Sequence, residues 1–90
     1  MGVKEAVSVA LQFVADLYGD KVSNLQLEEV ELSDDDEYWY ITISFTQPKL
    51  LSHPLAAVMQ SPTFERMYKR VTIETSTGNI RAMKIRDTHD

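Results

Sequence analysis

The 90-residue sequence contains no cysteine, which excludes a disulfide framework and any cysteine-based metal site. It also has no apolar run close to the ~20 residues that a membrane-spanning helix needs. The first residues show no basic region followed by an apolar stretch and a cleavage site, as a signal peptide would. We therefore expect a single-domain cytoplasmic protein, covering residues 1–90, with no part in a membrane.

Basic residues are scarce in the first half of the chain. Residues 1–47 carry ten acidic and two basic residues, whereas residues 48–90 carry seven basic and four acidic residues. The net charge of −5 argues against general nucleic-acid binding, which needs many basic groups on one surface. Two interpretations of the asymmetry stay open. Either the two halves attract each other within the fold, or the asymmetry steers a partner.

Hydrophobic periodicity predicts one helix, at about residues 3–18. The apolar residues that recur at three- and four-residue steps are Val3, Val7, Ala10, Val14 and Leu17. Gly19 follows this stretch, and a glycine can adopt the left-handed conformation that ends a helix. The sequence therefore opens with an amphipathic helix that needs a surface to pack on.

Alternation of apolar and polar residues predicts four strands, at about residues 22–32, 38–46, 67–75 and 80–86. In the first strand the alternation changes phase, and a β-bulge near Glu28 and Glu29 would restore it. The element order predicts an α+β fold with one N-terminal helix packed on a four-stranded antiparallel meander sheet. Between strands 2 and 3, three prolines predict an irregular or short-helical crossing.

The glycine at position 78 raises a choice between a phosphate-binding loop and a turn. A phosphate loop would lead into a helix, whereas Gly78 leads into another apolar alternation. A three-residue hairpin loop, with Gly78 in the left-handed conformation, would pair Thr75 with Asn79. The same register predicts three further pairs, namely Ile73–Arg81, Val71–Met83 and Lys69–Ile85. We favour the turn, because this register keeps apolar residues on one face.

With this hairpin in place, the sequence resembles PepSY-type and cystatin-like modules. The stretch VTIETSTGNIRAMKI, residues 71–85, is similar to the closing hairpin of that family, with Glu74 at an acidic position and Thr77-Gly78 at the turn. The helix that ends at a glycine, followed by VSNLQLEEVEL and EYWYITISF, is similar to the family's first part. The crossing is longer than the family pattern. The resemblance implies a module that binds or inhibits another protein and supplies no catalytic residues.

No residue pattern in the sequence predicts catalysis, a metal site or a cofactor. The acidic run at residues 34–37 lacks the glycine and glutamate spacing of a calcium loop, so it is interpreted as a solvated turn. Ser52 and His53 are adjacent and have no third group to orient them as a triad. We therefore expect a protein that is not an enzyme and that has no catalytic residues, metal ligands or cofactors.

The face of the predicted sheet that lies opposite the helix is the first candidate site. By parity, this face carries tyrosine and basic side chains, which are enriched in protein interfaces. A plain solvated face is the alternative interpretation. The apolar crossing is a second candidate surface. Together they predict an interface, with a protein partner or a second copy, made of Tyr38, Tyr40, Arg70, Lys84, Arg86, Leu55 and Met59.

The alternative function is binding of a small ligand in an apolar pocket between helix and sheet, near Phe13 and Trp39. The sequence therefore leaves two hypotheses, a non-catalytic interaction or inhibitory module and a small-ligand-binding domain.

Overall fold

The computed structural model describes residues 2–48 and 64–86. Most of the crossing, including Leu55 and Met59, lies outside the described residues, as do both histidines. The elements of the described part are helix α1 (Val3–Tyr18), a 3-10 turn (Gly19–Lys21), and strands β1 (Ser23–Leu32), β2 (Tyr38–Pro48), β3 (Phe64–Glu74) and β4 (Ile80–Ile85). No helix in this part of the chain is both long and apolar enough to cross a membrane.

The strands form one antiparallel sheet in the order β1-β2-β3-β4, so the predicted α+β meander is confirmed. The helix occupies the predicted residues and ends at Gly19, whose φ is 58°. Two strand limits differ from the prediction by more than one residue. β2 continues to Pro48 and β3 begins at Phe64, because the ladder between them extends to the Pro48–Phe64 pair. Apolar alternation stops before these residues, and backbone pairing continues without it.

Bulges set the phase of β1. Leu27 lies opposite Ile43 and Glu29 lies opposite Thr42, which leaves Glu28 as an extra residue on β1. The predicted bulge is therefore confirmed, and it returns Val30 to the face that Leu27 occupies. A second irregularity lies between Ser23 and Gln26, next to a positive φ of 56° at Asn24, and the sequence pattern did not predict it.

The β3–β4 hairpin has a longer loop than predicted. Gly78 has a φ of 77°, as expected for its left-handed role, but the N–H of Glu74 donates to the Asn79 carbonyl at 2.9 Å. The loop therefore has four residues, 75–78, and the predicted Ile73–Arg81 pair is wrong. Ile73 pairs instead with Ile80, and a bulge at Arg81 brings the strands back to the predicted pairs Val71–Met83 and Lys69–Ile85.

The bulge at Arg81 has a clear physical basis. It places Ile80 beside the buried Ile73, so that apolar residues meet on the inner face of the sheet. The displaced Arg81 reaches the carboxylate of Glu74 at 3.4 Å, with more than half of its side chain in solvent. The fourth loop residue thus shifts the register by one residue, and the extra residue at Arg81 shifts it back.

The core lies between α1 and the inner face of the sheet, defined as the face toward the helix. Small residues line the helix side of the contact, which lets the backbone approach the sheet closely. The fully buried residues are Ala6, Ala10 and Val14 on α1, and Ile41, Ile43, Phe45, Val71 and Ile73 on the strands. The Tyr18 ring packs against Phe45 with centroids 4.9 Å apart. The helix therefore caps the middle of the sheet with no room for larger side chains.

This close approach predicts the effect of enlarging Ala10. We expect Ala10→Leu to lower the free energy of unfolding by about 1–3 kcal/mol, because the extra atoms have no space against β2. Ser8→Leu, at an exposed position of the same helix, is the matched control and should change stability by no more than about 0.5 kcal/mol. Urea denaturation of both variants checks this. Equal stability of the two would contradict the packing described.

Candidate functional site

The outer face is defined as the sheet face opposite α1, and it contains the side chains predicted as an interface. The register places Tyr38 and Tyr40 of β2 on it, together with Arg70 of β3 directly opposite Lys84 of β4. Arg86 continues the β4 ladder, since its N–H donates to the Tyr68 carbonyl at 2.9 Å. The structure therefore brings these five residues to one face. Leu55 and Met59 lie outside the described residues.

Two polar residues on this face are buried although no helix of the described residues covers them. Thr42 is 4% exposed and Ser44 is 0% exposed. Both lie near the middle of the sheet, where longer side chains from β1 and β3 surround them. Buried polar groups require hydrogen-bond partners, so the neighbouring side chains must both cover these residues and bond to them.

The Arg66 side chain provides most of these hydrogen bonds. Its Nε and Nη2 donate to the Ser44 hydroxyl at 3.1 and 2.8 Å, and its Nη1 donates to the Thr46 hydroxyl at 3.1 Å. Nη2 also donates to the Asn24 carbonyl at 3.2 Å. The Ser44 hydroxyl in turn donates to Glu28, whose carboxylate lies 3.9 Å from Arg66. One guanidinium thus connects β1, β2 and β3.

Arg66 was missing from the residues predicted for this face. The third strand was predicted to begin at about residue 67, which left Arg66 in the crossing, whereas β3 begins at Phe64. The signal was present, because residues 66, 68 and 70 share a parity. Extending the alternation backward from Arg70 would have placed Arg66 on the outer face.

Arg70 forms a second cross-strand cluster with Tyr40 and Glu31. Its guanidinium carbon lies 4.3 Å from the centroid of the Tyr40 ring, and its Nη2 lies 3.6 Å from the Glu31 carboxylate. The Arg70 Nε is buried without a hydrogen-bond acceptor among the described residues. The aromatic face partly compensates for this, since a cation over a ring gains about 0.5–1 kcal/mol at exposed sites. Arg70 is thereby held in place while 36% of its side chain stays exposed.

A third contact joins the two edges of the sheet. The Arg86 Nη1 donates to the Glu29 carboxylate at 2.9 Å, although Arg86 follows β4 and Glu29 belongs to β1. Both side chains must lie across β2 and β3 to meet, and Thr42 is the residue paired with Glu29 beneath them. This ion pair explains why Thr42 is sheltered from water.

These three contacts bear on the first interpretation of the charge asymmetry. Each of them joins a glutamate of β1, in the acidic half, to an arginine of the basic half. The first interpretation, that the halves attract each other within the fold, is therefore confirmed. Lys84 is exposed and has no ion-pair partner among the described residues, so positive charge remains beside Arg70.

The acidic turn after β1 is shaped by its own hydrogen bonds. The Ser33 hydroxyl donates to the Asp35 carboxylate at 2.6 Å, and the Glu37 N–H donates to the same oxygen at 3.0 Å. These bonds, Ser33 first, hold the pKa of Asp35 below its ordinary value. Their stabilising effect is therefore complete above that ordinary value and is lost as the pH falls through the lowered pKa. Among the described residues no group of three acidic or histidine side chains is arranged for a metal ion.

The two residues predicted to line a pocket, Phe13 and Trp39, both pack against the core as partly buried residues. Phe13 also lines an open groove of about 500 Å³ on one flank of α1, together with Val9 and Asp16, and Trp39 is not among the described residues that line it. A different groove, of about 330 Å³, runs between α1 and β1. Its lining is mostly apolar and consists of Val3, Lys4, Val7, Ser8, Leu11, Leu27 and Val30.

The position of Arg66 predicts a large effect of its removal. We expect Arg66→Ala to lower the free energy of unfolding by about 1–3 kcal/mol, because the buried Ser44 hydroxyl loses its donors and Glu28 loses its ion-pair partner. Arg81→Ala removes an ion pair of a largely exposed arginine and should cost no more than about 1 kcal/mol. Urea denaturation of both variants measures this difference. If Arg66→Ala were as stable as Arg81→Ala, the role given to Arg66 would be wrong.

Comparison with known proteins adds no functional assignment. No family model, no curated protein and no solved structure matches this chain. The resemblance to PepSY-type and cystatin-like modules stays a prediction, carried by the order of the elements and by the closing hairpin.

Proposed function

We propose that this protein is a non-catalytic interaction or inhibitory module, and that it binds another protein or a second copy through its outer face. The observation that carries the proposal is the Tyr40–Arg70 stack, which stands beside the exposed Lys84. Tyrosine and arginine are the residue types that most often dominate binding energy at interfaces. A partner surface with carboxylates would meet positive charge at this position.

The rigidity of the stack supports the proposal. Binding costs free energy when a long side chain must be ordered, by about 0.5–1.5 kcal/mol for each such residue. Arg70 is already fixed by the Tyr40 ring and by Glu31. An interface centred on it would therefore lose less side-chain entropy than one built from free arginines. The resemblance to cystatin-like modules points in the same direction, since it implies binding or inhibition of a protein.

The proposal predicts that the outer face can be disabled without unfolding the chain. We expect Tyr40→Ala and Arg70→Glu each to weaken association with the partner or second copy by at least about tenfold, equal to about 1.4 kcal/mol. Lys21→Glu reverses an exposed charge away from the sheet and is the matched control. Native mass spectrometry of the protein purified from its own cells, with circular dichroism to confirm folding, makes the comparison.

If Tyr40→Ala and Arg70→Glu keep the same complexes as the parent and the Lys21→Glu control, the outer face is not the binding surface.

The second candidate function is small-ligand binding, which the apolar groove between α1 and β1 favours. Leu27 and Val3 are 45% and 43% exposed there, so an aliphatic ligand would cover apolar surface that now faces water. The groove differs in position from the pocket predicted at Phe13 and Trp39. Its size is at the lower end of small-molecule sites.

This second candidate predicts a thermal shift. We expect a medium-chain fatty acid to raise the melting temperature of the parent protein, and Val7→Trp, which fills the groove, to abolish the rise. Ser23→Trp, outside the groove at an exposed position, is the matched control and should keep it. The absence of any shift in the parent across aliphatic ligands would rule this function out for the groove.

A further inference from the structure

The two edge strands of the sheet carry opposite charge on the outer face. On β1 this face presents Glu28, Glu29 and Glu31, whereas on the β4 side it presents Lys84 and Arg86. Charged residues on an edge strand normally prevent it from pairing with another chain. Here each edge repels a copy of itself but attracts the other edge. The edge charges therefore do not prevent one arrangement, in which β4 of one copy pairs with β1 of another.

Apolar side chains stand exposed at the same two edges on the inner face. Ile85 at the end of β4 is 71% exposed, and Leu32 at the end of β1 is 38% exposed. Val30 and Met83, their neighbours two residues away on each strand, are only half-buried. Both edges thus combine a charged outer side with an apolar inner side, which is the pattern of a strand that has a further strand beside it.

We propose that β4 of one copy pairs antiparallel with β1 of a second copy, so that the sheet continues from chain to chain. Strand directions alternate from β1 to β4, and a second copy in the same orientation therefore presents its β1 antiparallel to β4. All helices would then lie on one side of the joined sheet. The register that matches both faces pairs Arg86 with Glu29, Ile85 with Val30, Lys84 with Glu31, and Met83 with Leu32.

This register places opposite charges together on the outer face and apolar residues together on the inner face. The outer face gains the ion pair Lys84–Glu31 and exchanges the Arg86–Glu29 pair within one chain for the same pair between chains. The inner face covers Ile85 with Val30. A shift of one residue would place Ile85 opposite Glu29 or Glu31, with apolar and acidic residues on one face. The complementarity is therefore specific to the proposed register.

Among the described residues no further strand pairs with β1 or β4, so the backbone at both edges is available for this pairing. The Arg86 N–H bonds to Tyr68 of β3, and since the N–H and C=O groups of alternate residues point to the same side, those of Ile85 and Met83 point away from β3. On β1 the bulge at Glu28 interrupts the ladder, but residues 29–32 are regular. The junction is thus limited to four residue pairs, which makes it short and dependent on the charges.

The contact would use different surfaces on the two copies, so it closes into a ring or continues as an open chain. The contact between copies also changes the ion-pair partner of Arg86. Arg86 now binds Glu29 within its own chain, and in the assembly it binds Glu29 of the neighbour. The inference rests on the proposed function in that both make the chain an interaction module. Tyr40 and Arg70 are not themselves part of the junction, but its residues Glu31 and Lys84 adjoin Arg70.

Complementary charge reversal tests the inference. In the proposed register, Glu31→Lys places a lysine opposite Lys84 of the next copy, whereas Lys84→Glu places a glutamate opposite Glu31 of the next copy. We expect the parent to sediment at multiples of 10.3 kDa at low salt and each variant alone to associate about tenfold more weakly or not at all. An equimolar mixture of the two should regain the parent's association, because each variant then offers the edge that the other needs. Glu5→Lys and Lys21→Glu are the matched controls and should behave like the parent when measured alone.

Three results would overturn the inference, namely a parent that stays monomeric at low salt and high concentration, single variants that associate like the parent, or a mixture that stays monomeric. Restoration on mixing also shows that both variants are folded. The proposed function is judged separately, by Tyr40→Ala. Association that survives Tyr40→Ala, is lost in Glu31→Lys and returns when Glu31→Lys is mixed with Lys84→Glu supports edge pairing alone. Association that is lost in Tyr40→Ala but kept in Glu31→Lys and in Lys84→Glu supports the outer face alone.

Discussion

The hydrogen bonds of Arg66 are the interactions on which the outer face of the sheet depends. A single helix covers one face of the four strands, and the described residues provide no second layer for the other face. Ser44 is nevertheless fully buried on that uncovered side. Arg66 makes this possible, because its guanidinium bonds to Ser44 and Thr46 and lies near Glu28. Without it, the buried Ser44 hydroxyl would lose the groups that donate to it, and Glu28 would lose its ion-pair partner.

The same logic explains the distribution of charge along the chain. The acidic strand β1 and the basic strands β3 and β4 come from opposite halves of the sequence, and three arginines connect them over the surface of β2. An exposed ion pair contributes little on its own, but pairs that share a face and cover buried polar groups act together. The charge asymmetry thus serves the fold first. What remains exposed at the two edges of opposite sign is available for partners.

The sequence predicted the elements better than their connections. The limits of α1 and the bulge at Glu28 followed from periodicity alone, because a helix face and a change of strand phase are local patterns. The bulge at Arg81 did not, since loops of three and four residues fit the same turn sequence and only packing of Ile80 on Ile73 selects between them. The Arg86–Glu29 contact joins residues 57 positions apart, and it depends on the order of all four strands and on side-chain reach. For the same reason parity identified Tyr40 and Arg70 as neighbours on one face, but not the stack between them.

The most direct test of this account is a double-mutant cycle between Glu28 and Arg66, measured by urea denaturation of Glu28→Gln, Arg66→Gln and the double variant. The two side chains lie 3.9 Å apart, are each about one-third exposed, and share the Ser44 hydroxyl. The account predicts a favourable coupling free energy of about 1 kcal/mol, which falls in the range for residues of one hydrogen-bond network. A coupling free energy indistinguishable from zero would mean that Arg66 covers the outer face without stabilising it through Glu28, and would contradict the role given to its hydrogen-bond network.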